Sequence, residues 1–122
     1  MKINIPKVIV QVPMEDYAAE LAGNALNVWV NPPLSVLNEH LTLVTDKADP
    51  TAGQSILAWY ARIWSQGALD SQWTVDELRE LEQKDPALLG WMISATWEAR
   101  QAHVDRKKKI ETRHWTRWVK LA

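Results

Sequence analysis

The densest chemical signal in the chain is the stretch HVDRKKKIETRHWTRW, residues 103–118. Arg106, Lys107, Lys108 and Lys109 run consecutively, and Arg113, Trp115, Arg117 and Trp118 follow at short intervals. Cations interleaved with indole rings can neutralise phosphates and stack on bases, which is how single-stranded nucleic acid is held. The same residues can dock a protein, with Trp115 and Trp118 as anchors and the cations steering the encounter. A third reading needs no ligand, because cations near the C-terminal end of a helix are favoured by its dipole. Charge distribution weighs against the nucleic-acid reading. Residues 1–97 carry 6 Lys+Arg and 12 Asp+Glu, while residues 98–122 carry 8 and 3, a split of −6 against +5. A nucleic-acid binder usually spreads its positive field over a whole face. A basic end on an acidic body instead suits docking on an acidic surface, its own, a second copy's or a partner's.

Elsewhere the residue types that perform catalysis are present but not assembled. The histidines are His40, His103 and His114, and none falls in an HExxH or comparable ligand spacing. His103 falls on the apolar face of a helix and reads as a core or helix-edge residue. No GxSxG elbow occurs, and Gly23, Gly53, Gly67 and Gly90 are too scattered for a phosphate loop. With no cysteine there are no disulfides and no thiolate metal site. A protein without catalytic, metal or cofactor site is therefore expected, with any function lying in its contacts.

The length of 122 residues suits one domain, and 47% hydrophobic content suffices for a core. No apolar run approaches the ~20 residues of a membrane span. The start MKINIPKVIVQV alternates and contains Pro6, so no leader is expected, and the reading is cytoplasmic, not secreted. Eight tryptophans and no phenylalanine are an unusual combination. Most should be core, since burial is the usual fate of large rings. Trp29, Trp64 and Trp73 are carried forward with the C-terminal cations and rings as partner-binding candidates.

The elements that would position these groups follow from periodicity. In KVIVQV, residues 7–12, Val8, Val10 and Val12 alternate with Lys7 and Gln11 as in a strand. ALNVWVN, residues 25–31, repeats the pattern with Leu26, Val28 and Val30 opposite Asn27, Trp29 and Asn31. The connection between them reads either as a two-turn helix or as a hairpin about Gly23-Asn24. The hairpin is preferred because it sets Leu21 against Leu26, Ala19 against Val28 and Tyr17 against Val30. Asn31 can cap the helix that follows Pro32-Pro33, in which Leu34, Leu37, Leu41 and Val44 fall at spacings of three, four and three. Asp49-Pro50 opens a second helix, with Gly67 as its stop; Ile56, Tyr60, Ile63 and Gly67 mark one stripe, and Leu57 and Trp64 flank it. Thr74-x-x-Glu77 is a capping box with Leu78 and Leu81 inward. Asp76, Glu77, Glu80 and Glu82 leave this helix an acidic outer face, solvated or a docking strip for a basic partner. Asp85-Pro86 starts a long last helix with Leu88, Leu89, Met92, Ala95, Thr96, Ala99, Ala102 and His103 on its core face. The expected fold is α+β and helix-dominated: a small N-terminal antiparallel sheet of two or three strands, then three or four helices. Within one domain, residues 1–31 are the β-rich part, 32–104 the helical part and 105–122 a basic C-terminal helical extension. Strand edges and surplus tryptophan make homo-oligomers an open option.

The order of features in YAAELAGNALNVWVNPPLSVLNEH, a Tyr, a short VWVNPP strand and a helix directly after the prolines, resembles tail assembly chaperones of long-tailed phages and prophages. The run WSQGALDSQWTVDELRELEQKDPALLGWMISATWEA is similar to their C-terminal helical half, in its Trp, polar turn, T-x-x-E-L helix start and DP-x-L start of the last helix. The likeness spans residues 17–100 and stops before IETRHWTRWVKLA, a second amphipathic segment outside the family pattern. It implies a non-catalytic protein that binds the long helical tape measure protein and hands over to tail tube subunits. Contact would be with amphipathic helices, for which a Trp-rich groove is suited. Such proteins are often also made in a longer form by ribosomal frameshifting. The Lys107–Lys109 triplet, with thirteen residues after it, would then mark a slippery site in the message.

Overall fold

The structure, a computed structural model, describes residues 3–46, 52–65 and 73–121, and the side chains among them except those of 52 and 108–121. Two strands and four helices follow in order: β1 (Ile9–Pro13), β2 (Ala25–Trp29), α1 (Leu34–Thr45), α2 (Ala52–Trp64), α3 (Val75–Lys84) and α4 (Pro86–Leu121). The fold is α+β and helix-dominated, as the periodicities predict.

β1 and β2 form a two-stranded antiparallel sheet in the register Ile9–Trp29, Val10–Val28, Gln11–Asn27, Val12–Leu26 and Pro13–Ala25. Directly opposed residues share a face. Val10, Val12, Leu26 and Val28 therefore lie on one side, and Leu26 and Val28 are fully buried there.

The preferred hairpin about Gly23-Asn24 is not formed. Residues 14–16 and 19–21 are single 3-10 turns instead. The loop is closed by Met14 N–H donating to the Asn24 carbonyl at 2.9 Å. Gly23, at φ +90°, supplies the left-handed residue that returns the chain to β2. The stronger pairing for β2 is the Val-rich β1, because it offers apolar residues for a whole face where 17–21 offer alanines. Tyr17, freed from strand duty, packs tilted against Trp91 with ring centroids 5.8 Å apart, and its hydroxyl donates to Asp85 Oδ1 at 3.3 Å.

Nor does Asn31 cap α1, whose N-cap is Pro33 with no side-chain hydrogen bond. Asn31 ties down the N-terminal segment: its Oδ1 accepts from Val8 N–H at 2.7 Å and its Nδ2 donates to the Pro6 carbonyl at 2.9 Å.

The two later caps form as read. Thr74 Oγ1 accepts from Glu77 N–H at 3.1 Å to start α3, and Asp85 Oδ1 accepts from Leu88 N–H at 3.1 Å to start α4. Asp49, Pro50 and Gly67, read as the ends of α2, lie outside the described residues. The basic extension is the unbroken continuation of α4, a helix of 36 residues and so about 54 Å long at 1.5 Å per residue. Among the described residues no helix is long and apolar enough to cross a membrane.

The core lies where α2 crosses the sheet, α1, α3 and α4. Its largest fully buried side chains are Trp64, Leu26, Ile63, Leu78, Met92, Val28 and Val30. The rings are joined through their polar atoms as well as their faces. Trp64 Nε1 donates to Thr96 Oγ1 at 2.8 Å, the Thr96 hydroxyl donates in turn to the Met92 carbonyl at 2.8 Å, and Trp97 Nε1 donates to Tyr60 Oη at 2.9 Å. Trp59 and Trp97 stack nearly parallel, 5.9 Å apart. A buried indole keeps its N–H bonded in this way or suffers the cost of desolvation.

Candidate functional site

α1 has two apolar sides, and its leucine stripe is not the one that meets the core. Its inner face is Val36, His40 and Leu43. The Val36 carbonyl accepts from Trp59 Nε1 at 2.8 Å. His40 sits against the rings of Trp59, Trp97 and Tyr60 at 4.5, 5.0 and 5.6 Å. Tyr60 Oη lies 3.2 Å from His40 Nε2. Because Trp97 already donates to Tyr60, the Tyr60 proton is available to a neutral imidazole. Burial holds His40 below the ordinary histidine pKa. At the surface, Arg62 pairs with Glu39 at 2.9 Å.

Advancing 100° per residue, the stripe Leu34–Leu37–Leu41–Val44 is centred about 110° around the helix from this inner face. It is consequently turned toward solvent. Leu34, Leu41 and Val44 are 71, 59 and 43% exposed, and of the four only Leu37 packs against the core. The flanking Ser35, Asn38 and Thr42 are polar and uncharged. Spacings of three and four with uncharged flanks are what one helix offers another in knobs-into-holes packing.

Beyond Pro33, at the N-terminal end of α1, a groove of about 450 Å³ opens between residues 30–33 and α4. Ile5, Val30, Pro32, Pro33 and Val104 give it an aliphatic floor, and Arg100, His103 and Lys107 line the α4 side. The last three are spaced by three and four and so share one helix face. His103 is half-buried at this helix edge, and its Nε2 is enclosed without a hydrogen-bond partner. Burial, then the nearby Lys107, Arg106 and Arg100, lower its pKa.

The residues singled out from sequence do not assemble into one site. Trp64 is 1% exposed and belongs to the core, so it cannot anchor a partner in this fold. Trp29 is buried on the opposite sheet face from the valines, with Lys7 Nζ 4.9 Å above its ring and its own Nε1 unbonded. Trp73 is half-buried, edge-on to Trp64 at 6.3 Å. Arg106 and Lys107 are exposed on α4. Lys108, Lys109, Arg113, Trp115, Arg117 and Trp118 fall where only the helix, not the side chains, is described. On the acidic face of α3, Glu80 is engaged by Lys84 at 2.6 Å, which lowers its pKa, and Glu77 serves the cap. Among the described residues no group of three His, Cys, Asp or Glu could hold a metal ion.

Two features escaped the sequence reading. The 3-4-3 stripe of α1 was legible, but its direction was not. Arg100, His103 and Lys107 had the right spacing to be seen as a wall, yet nothing in the sequence pointed to the N-terminal segment they face. No family model, curated protein or solved structure matches the chain.

Proposed function

We propose that this protein is a non-catalytic assembly chaperone that holds an amphipathic helix of another protein along α1. The observation that carries the reading is the seam Leu34–Leu37–Leu41–Val44, three of whose four side chains are exposed on a helix anchored rigidly from behind. A monomer gains nothing from three large aliphatic residues in water at this spacing. A helical partner would bury them, at about 25 cal/mol per Å² of apolar surface removed from water. The resemblance of residues 17–100 to tail assembly chaperones supplies the identity of that helix: the tape measure protein of a long-tailed phage or prophage, with delivery to tail tube subunits in the host cytoplasm.

The test is co-expression with the adjacent long helical gene product. Co-purification that is lost in Leu41→Asp, with the melting temperature unchanged, is the expected result. A Leu41→Asp protein that still co-purifies would remove the seam from the reading. The gene adds an independent check: a tail tube gene upstream, and a slippery heptamer at the codons of Lys107–Lys109 if a longer product is made.

A second reading, association with single-stranded nucleic acid, draws on exposed Arg106 and Lys107 and the cations beyond them. It requires binding at ~50 mM salt that weakens with a log–log slope near one per phosphate neutralised. The absence of a shift with single-stranded DNA or RNA at that salt removes it.

A further inference from the structure

The groove at the head of α1 differs in chemistry from the seam it adjoins. Arg100 and Lys107 have no ion-pair partner among the described residues, although the body they face is acidic overall. The opposite rim is already satisfied: both polar ends of the Asn31 amide are bonded, to Val8 and Pro6. The groove thus offers an aliphatic floor, a preformed rim whose Asn31 amide is held at both ends, and two cations, one helical turn either side of His103, with no ion-pair partner among the described residues. Among the described residues no Trp or Tyr ring lines it and its one imidazole, His103, is half-buried at the helix edge, so it lacks the broad stacking platform that single-stranded nucleic acid uses. Carboxylates flanked by aliphatic side chains match both halves of it, as charge complementarity requires.

From this we infer that the groove receives an acidic end of the helix bound on α1, so that carboxylates at that end meet Arg100 and Lys107 while the apolar seam continues along Leu34 and Leu41. The inference rests on the reading of α1 given above and adds the partner's chemistry and its polarity on the surface. Pro33 fixes the geometry, since it both lines the groove and caps α1. The acidic block must therefore lie at whichever end of the partner helix points toward residue 33, and the other end lies toward Val44.

The experiment uses the full chain and synthetic amphipathic peptides that share one leucine seam at spacings of three and four. Each carries a block of glutamates, or of lysines in the same places, at its N-terminal or its C-terminal end. Binding is followed by calorimetry. One glutamate placement should bind roughly tenfold more tightly than its lysine counterpart at ~50 mM salt, with the gap closing at ~500 mM. In Arg100→Glu/Lys107→Glu the order should invert; if that variant loses its circular dichroism melt, Arg100→Gln/Lys107→Gln should abolish the preference instead. Equal binding of glutamate and lysine peptides, or a preference unchanged in the charge variants, overturns the inference. Leu41→Asp separates the two levels. If it weakens all peptides while wild type shows no charge preference, the seam stands and the acidic subsite falls. If it weakens none, the seam reading falls. Should no peptide bind at ~1 mM, both fall.

Discussion

α1 and α2 are helices of 12 and 13 residues, both rich in aliphatic side chains, and the structure uses them in opposite ways. α2 places Leu57, Trp59, Tyr60, Ala61, Ile63 and Trp64 in the core. α1 places only Val36 fully inside and leaves Leu34, Leu41 and Val44 in water. The difference follows from neighbours. α2 is surrounded by the sheet, α1, α3 and α4, whereas α1 has α2 and the edge of α4 behind it and nothing described in front. An apolar stripe becomes core only where another element arrives to cover it. On α1 the three aromatic rings around His40 hold the helix in place from one side, which leaves the second stripe stiff, outward and preorganised for a partner.

Mutations should expose this asymmetry as a difference between stability and binding. The largest loss is expected for Trp64→Ala, which opens a cavity in the centre of the core and strips Thr96 of its donor. Urea denaturation should register about 3–5 kcal/mol. Trp59→Phe keeps an aromatic ring but removes the indole N–H that bonds the Val36 carbonyl, which is left with its helical donor alone, and about 0.5–1.5 kcal/mol is expected with weakening concentrated at α1, visible as faster amide exchange there. Thr74→Ala removes the cap of α3 and should cost about 1 kcal/mol.

Acidity should have a smaller effect, of defined sign. His40 and His103 both have folded pKa values below the ordinary 6.5. The unfolded chain therefore takes up protons first as pH falls. Their contribution to stability is fully present above pH 6.5 and is lost as pH falls from there toward the folded values. The urea midpoint should decline as pH falls below about 6.5, and His40→Gln should flatten that decline. Stability should respond least to Leu41→Asp, within about 0.5 kcal/mol, while partner binding responds most. A large destabilisation by Leu41→Asp would mean that α1 is held through its outer stripe, and the contrast with α2 would collapse.

Particular elements show how far the sequence could be read. The capping residues Thr74 and Asp85 act within four residues of themselves, so their hydrogen bonds were predictable from local order alone. β1 and β2 were legible from alternation, yet their pairing was misjudged. A Gly-Asn turn signal is local, and the competing partner for β2 was a more apolar strand more than ten residues away. Asn31 looked like a helix cap by its position before two prolines. It became a strand-end clamp because the N-terminal segment passes close enough for both ends of its amide to bond.

What the sequence determined by itself was the inventory of elements, their approximate bounds and their local starts, since helical and strand periods and capping bonds depend on neighbours a few residues apart. It also determined the separation of an acidic body from a basic end. Tertiary structure alone decided which of the two stripes of α1 met the core, that Trp64 and Trp29 were interior and not anchors, and that Arg100, His103 and Lys107 would face residues 5 and 30–33. Each of these depends on which surfaces are occupied by distant parts of the chain. Burial is a property of the pair that meets, and a single segment's pattern records only that it has an apolar side, not what will arrive to cover it.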